Sequence, residues 1–468
     1  MLRRRFLQGL PATAAMCSVA PAFSQQASAA KRDSIVYVAP GCISGPVARA
    51  LMPPQGEPPL PQSRHFKGLR FTGRQRNYHE TVSADTWYPA WAADGTLYSS
   101  YADGTAKDAS GRQVRVNSQW EYPEGFPADF QERWFRDLGI GVVRGQITSE
   151  TYKATTTGNA ELSGDDPFAL TVSPLEPFTH QSQRYEGYYP CANFFHQGVW
   201  YYGGYHCHRW LNPHNVPITY ELGGFGGFRI SRDRGKTWQD TPHDDQRPLF
   251  PETGRCSGGV AIKMGTPHFV DFGRDLEHSP DGYAYLAGHG TYDADGIVNW
   301  CSGDAISLAR VRPSPETMND SGAWEFFAGH DASKRPIWSK DFSRIAPLIG
   351  WPGGAGCVNI SYQPALKKYF GFLCGGWADG DAGSYNLWVV ESDSVTGPWF
   401  TVTNLRGTGG GQPYFVCMPS KFNRPDSKNL IVFYSSNWRT HRRGISSWKD
   451  PDGPGGGYGL CVAEFELI

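Results

Sequence analysis

The sequence predicts an all-β fold: a five-bladed β-propeller of four-stranded antiparallel blades, one of them carrying an Asp-box hairpin. Three observations predict it: an eight-residue turn motif, a glycine- and aromatic-rich composition, and a hairpin unit that recurs five times. The motif is Ser231-Arg232-Asp233-Arg234-Gly235-Lys236-Thr237-Trp238. It fits the pattern Ser-x-Asp-x-Gly-x-Thr-Trp, which marks the outer hairpin of propeller blades. Asp233 is placed to accept hydrogen bonds from turn N–H groups, Gly235 supplies a positive φ, and Trp238 reaches the gap between blades. Such a turn speaks for fold and not for chemistry. The competing reading is an ordinary hairpin on another β fold.

Among the 468 residues are 56 Gly, 16 Trp, 23 Tyr and 26 Phe. Abundant glycine suits short strands joined by tight turns, and abundant aromatics suit a cleft that stacks flat sugar faces. Helical periodicity is scarce, while short β-branched and aromatic runs recur between Gly, Pro, Asn and Asp. The larger period is a hairpin. It spans 85–103 around Ala93-Asp94-Gly95 and 188–206 around His196-Gln197-Gly198. It returns at 266–290, at 357–377 and at 412–437, with outer strands at 228–230, 305–311, 387–391 and 460–465. The run from Glu391 to Trp399 looks like a degenerate copy of the box, one residue longer. Five units fill 85–468; six or seven blades would need units hidden in 104–178 or 211–227.

The N-terminus reads as an address. Arg3-Arg4-Arg5-Phe6-Leu7 fits the twin-arginine export pattern, and Ala27-Ser28-Ala29 is a small-x-small cleavage site. Residues 1–29 are therefore expected to be a twin-arginine signal peptide, 30–78 a Pro-rich arm, and 79–468 the propeller catalytic domain. The expected location is the periplasm or beyond, reached in folded form. No run is long and apolar enough to span a bilayer. Loss of the signal removes Cys17 and leaves nine of the ten cysteines, an odd number that argues against a fully paired disulfide framework. Cys191, Cys357, Cys374, Cys417 and Cys461 lie in apolar strand patterns, where a free thiol packs as a small hydrophobe. Lys and Arg number 44 against 45 Asp and Glu, which offers no field for nucleic acid or an anionic membrane.

A propeller makes its own site prediction. The innermost strands converge on one axis, so their leading residues line one mouth although they are far apart in sequence. Asp85 and Asp103, eighteen positions apart, bracket the first hairpin and should return to one end of it. Two carboxylates facing one cleft are what glycosidic cleavage needs, one protonated to release the leaving group and one ionised to attack or activate water. The bland alternative is turn capping, which fits Asp94 before Gly95 and competes evenly for Asp103 before Gly104. Candidate sugar contacts are Trp87, Tyr88, Tyr189, His206, His268, His289, Trp377, Asp379, Gln412 and Asn437, with Trp87 and Trp377 stacking. His206-Cys207-His208 has strand spacing for a metal, but no carboxylate or third histidine follows at a diagnostic interval. Neither a metal nor a cofactor is expected, and the protein is expected to be a monomer with a carbohydrate partner.

These stretches also carry a resemblance. Asp85-Thr86-Trp87-Tyr88-Pro89, Ala102-Asp103-Gly104, Gly164-Asp165-Asp166-Pro167, His268 to Gly273, Glu277 to Gly282, Gly288-His289-Gly290 and Glu391 to Trp399 span nearly all of the mature chain. In them the chain resembles the uncharacterised-domain family grouped with bacterial endo-D-arabinanases, which are five-bladed propeller glycoside hydrolases. The resemblance implies that the two catalytic carboxylates fall on Asp85 and Asp103, with D-arabinan one substrate option. Sialidase-like features lack an arginine triad, since Arg184, Arg229 and Arg232 do not sit at inner-strand starts. The expected function is a secreted glycoside hydrolase. Its alternatives are a polysaccharide lyase using a His/Tyr pair, such as His268 with Tyr188 or Tyr189, and a non-catalytic glycan-binding propeller.

Overall fold

The computed structural model describes residues 57–118, 155–180, 185, 187–211, 217–254, 259–293, 298–377, 385–405, 413–436 and 459–468. They fall almost wholly in one compact unit made of Pro46–Glu121, Lys153–Arg209 and Thr219–Ile468. The other unit, Met1–Gly45, Tyr122–Tyr152 and Trp210–Ile218, lies nearly all outside the described residues, as does the expected signal peptide.

The described strands pair into five sheets, taken up in chain order. β1 (Leu69–Asn77) waits for the end of the chain. The first sheet holds β2 (Val82–Asp85), β3 (Ala90–Trp91), β4 (Leu97–Lys107), β5 (Gln113–Val116), β6 (Thr155–Ser163), β7 (Thr171–Pro174) and β8 (Phe178–His180). The second holds β9 (Gly187–His196), β10 (Val199–Leu211) and β11 (Pro217–Ser231). The third holds β12 (Gly265–Phe269), β13 (Ala284–Gly290), β14 (Ala305–Val311), β15 (Glu325–His330), β16 (Pro336–Ser339) and β17 (Ile349–Gly350). The fourth runs β18 (Val358–Gln363), β19 (Lys368–Trp377), β20 (Tyr385–Ser392) and β21 (Phe400–Asn404). The fifth runs β22 (Pro413–Cys417), β23 (Leu430–Ser436) and β24 (Gly459–Leu467), and β1 completes it on the far side of β24.

Contacts between neighbouring sheets close a ring. β4 meets β9, β9 meets β12, β12 meets β18, β18 meets β22, and β24 returns to β2. This is the β-propeller the sequence predicts, and its inner hairpins are the five repeats. The expected five four-stranded blades are corrected to four. Four sheets have four strands or more, and the second has three, with only the bridge Ile230↔Gln239 beyond β11. Extra strands enlarge the first and third sheets because their connections are long enough to add edge pairs. The domain boundary also moves. Leu69–Asn77, expected in the arm, pairs antiparallel with β24, from Leu69↔Leu467 to Asn77↔Cys461. The first described strand therefore fastens the last sheet and leaves no unpaired β24 edge.

Flat aromatic faces fill the wedges between sheets. Phe194 packs on Phe269 at 4.5 Å between the second and third sheets, and Phe272 on Tyr369 at 5.9 Å between the third and fourth. Trp238 of the eight-residue motif sits 4.9 Å from both Trp200 and Phe178, the latter from the preceding sheet. Its turn is tied by Asp233, which accepts from the Thr237 N–H (2.8 Å) and hydroxyl (2.6 Å), while Gly235 takes φ 83. Each ring so buried contributes about 1.5–3 kcal/mol.

One backbone feature recurs near the axis. Thr86, Ala192, Thr266 and Phe415 have φ of 65, 43, 38 and 50, although none is glycine. Ala192, Thr266 and Phe415 lie in inner strands and Thr86 directly follows β2, each beside a slip in pairing with the partner strand. Such bulges re-aim side chains where strands crowd together.

Candidate active site

Asp85 ends β2 at the start of the axial run of the first sheet, and it pairs with Ala102, the residue before Asp103. Pairing slips between Ser83 and Asp85, and Asp103 takes φ 49 opposite the slip. A Cβ on Gly104 would stand 1.8 Å from the Ser83 carbonyl oxygen, so glycine there is required by the close approach of the two strands. The hairpin thus brings both half-buried acids to one end of the sheet, as the spacing predicts.

Their partners differ. Asp85 accepts from the Thr86 hydroxyl at Oδ1 (2.6 Å) and from the Tyr414 hydroxyl at Oδ2 (2.7 Å). Tyr414 is on β22, so this bond joins the fifth sheet to the first. Asp103 Oδ1 accepts from the Ser118 N–H at 3.0 Å, and the Ser118 carbonyl accepts from Tyr188 at the start of β9. Asp103 therefore caps a loop, as its competing reading expected, but it does so beside the leading end of the second sheet.

Several expected sugar contacts are used up by the interior. Trp87 has no exposed surface; its ring stacks on Tyr101 at 5.1 Å and its indole N–H donates to the Ala84 carbonyl. It is a packing residue and cannot stack a substrate. His289 is likewise enclosed, linked to Thr266 Oγ1 (3.0 Å) and the Asn299 carbonyl (2.6 Å), and burial pushes its pKa down to about 4. Tyr88 and His268 lie ring to ring at 3.8 Å and line a small axial cavity of ≈ 40 Å³. That space suits water and not a sugar ring. Burial holds His268 down to about 3 and the Tyr88 phenol well above its usual range.

Tyr189 is buried against Tyr205, its partner across the β9–β10 pair, at 5.8 Å. His206 lies opposite Tyr188, and neither ring nitrogen has a hydrogen-bond partner among the described residues. Burial lowers its pKa to about 4, so it stands neutral. Trp377 closes β19 in backbone pairing with Tyr385; its side chain, like Asp379, Gln412 and Asn437, lies outside what is described.

Trp300 and Tyr414 are both absent from the candidate contacts drawn from the sequence. Trp300 is half-buried in the turn between β13 and β14, and its ring lies 5.8 Å from Tyr414 and 5.0 Å from Phe415. It stands next to the phenol that holds Asp85, where an aromatic wall for a sugar would be useful. No periodicity flagged it, because it belongs to a turn outside the inner hairpins. Among the described residues no group of three or more His, Cys, Asp or Glu is placed to hold a metal, and no helix is long and apolar enough to cross a membrane.

No family model matches the chain, and no curated protein matches it. Solved structures similar to it include a GH43_1 enzyme from Xanthomonas citri, at 12% identity and a TM-score of 0.39, covering 82% of this chain and 87% of that one. A glycosyl hydrolase from Bacteroides ovatus has 12% identity and a TM-score of 0.38, covering 89% and 96%. A xylan β-1,4-xylosidase from Bacillus halodurans has 9% identity and a TM-score of 0.40, covering 84% and 56%. At this distance the likenesses add no weight, and the propeller rests on sheet order and ring contacts.

Proposed function

We propose that the chain is a secreted glycoside hydrolase that cleaves a polysaccharide or oligosaccharide laid across the leading ends of the inner strands. The observation that carries this reading is the pair of half-buried carboxylates, Asp85 and Asp103, at one end of the first sheet. Asp85 is the base or nucleophile, its two oxygens held by the Thr86 and Tyr414 hydroxyls. Asp103 is the acid or its partner, with a backbone N–H on one oxygen. Tyr189 and His206 bind sugar hydroxyls, and Trp300 supplies the stacking face expected of Trp87. In this reading residues 231–238 are an Asp box, on the turn that follows β11. The chain leaves the cytoplasm through the twin-arginine route and acts as a monomer. D-arabinan is one substrate option, on the resemblance of the sequence.

The lyase reading is less favoured, since His268 faces a cavity too small for a uronate. Reducing-end release from a panel of plant, algal and mycobacterial glycans, D-arabinan included, tests the proposal. Asp85→Asn and Asp103→Asn should each lower turnover by about 10²–10⁴-fold. Equal release by wild type and Asp85→Asn would remove Asp85 from the mechanism. An unsaturated product absorbing in the ultraviolet would indicate a lyase, and binding without turnover a glycan-binding propeller.

A further inference from the structure

We infer that Tyr414 is a positioning residue: its phenol, supplied by the last sheet, fixes the Asp85 carboxylate of the first sheet in its reactive orientation. The inference rests on the proposed role of Asp85 and adds a residue from the opposite end of the chain. Tyr414 is buried, with 2% of its surface exposed, and its hydroxyl donates to Asp85 Oδ2 at 2.7 Å. The bond spans 329 positions of sequence, so it forms only when the ring closes.

Both partners sit on backbone shaped to make them meet. Thr86, which donates to the other carboxylate oxygen, has φ 65, a costly conformation for a β-branched residue. It is held there from both sides: its N–H donates to Ser435 Oγ at 3.1 Å, and its carbonyl accepts from Ser100 Oγ at 3.0 Å. Ser435 is on β23, beside Tyr414 in the β22–β23 pairing. On the Tyr414 side, Phe415 has φ 50 and the pairing slips between Tyr414 and Cys417. Two facing bulges on different sheets, each with a non-glycine residue in the left-handed region, thus aim one hydroxyl apiece at the same carboxylate. Strain of this kind persists where the surroundings over-determine it, and it clusters at functional sites. Titratable groups near Asp85 include Tyr205 on β10 and Asp103, next to its paired position on β4.

The experiment compares wild type, Tyr414→Phe, Asp85→Asn and the double variant on the panel glycan that wild type cleaves fastest. Tyr414→Phe should lower kcat by up to about a hundredfold with KM unchanged, and the double variant should be no slower than Asp85→Asn alone. A substrate-free readout goes with it. The Asp85 carboxyl, followed by carbon-13 NMR with Asp85→Asn as the assignment control, should titrate about one pH unit higher in Tyr414→Phe. An unmoved titration, or wild-type kcat in Tyr414→Phe while Asp85→Asn is inactive, overturns the inference. If Asp85→Asn is as active as wild type, the catalytic reading of Asp85 fails instead, and the titration still reports whether the phenol governs the carboxylate.

Discussion

Trp87 and Trp300 show how position decides what one residue type does. The Trp87 ring is closed in between Tyr101 and the β22–β23 side of the fifth sheet, whereas Trp300 is half-buried beside Tyr414. Trp87→Ala should therefore cost about 3–5 kcal/mol of unfolding free energy, read in a denaturant titration. Trp300→Ala should leave the midpoint nearly unchanged and raise KM for the glycan several-fold. The reverse pattern would return the stacking role to Trp87. The same contrast separates the histidines: His289 has both ring nitrogens bonded, whereas His206 has neither bonded among the described residues.

At the scale of strands and turns, the site depends on a slip in the β2–β4 pairing. Gly104 lets β4 pass within touching distance of the Ser83 carbonyl, and Asp85 and Asp103 flank that crossing. Gly104→Ala should force the strands apart, costing about 1–3 kcal/mol by overpacking and lowering turnover more than it lowers affinity. Wild-type turnover in that variant would mean that the two acids do not depend on their shared hairpin. The 231–238 turn is local in a way the β2–β4 bulge is not. Asp233 bonds within four residues, so its chemistry was legible in the sequence. The bulges at Thr86, Ala192, Thr266 and Phe415 were not legible, because the residues there are not those that favour positive φ.

For the whole molecule, three buried histidines on the second and third sheets tie stability to pH. His206 and His289 are held down to about 4 and His268 to about 3 by burial, against 6.5 in an unfolded chain. Between those values and 6.5 the unfolded state binds more protons, so their contribution to stability is intact above pH 6.5 and is lost as pH falls towards 3–4. Glu252 works the other way. Burial raises its carboxyl to about 8, so its contribution weakens as pH rises from about 4.5 to 8. Comparison with His268→Leu isolates one histidine. Between pH 7 and 4.5 wild type should lose on the order of 2 °C more in Tm than the variant does. Parallel curves would mean that His268 is protonated within the fold. The described cysteines are buried, including the five read as small hydrophobes, and the last sheet is fastened by β1 on β24.

The sequence by itself determined what is local or periodic: the inner hairpins, the 231–238 turn, and the arrival of Asp85 and Asp103 at one end of a two-stranded unit. Each of these follows from spacings of fewer than about thirty residues and from turn chemistry. Tertiary structure alone decided which aromatic and imidazole side chains face the mouth and which fill the axis. It also decided that Tyr414 reaches Asp85 and that β1 closes the last sheet. The reason is that ring closure joins distant strands, and bulges without a sequence signature set the direction of each side chain beside the axis.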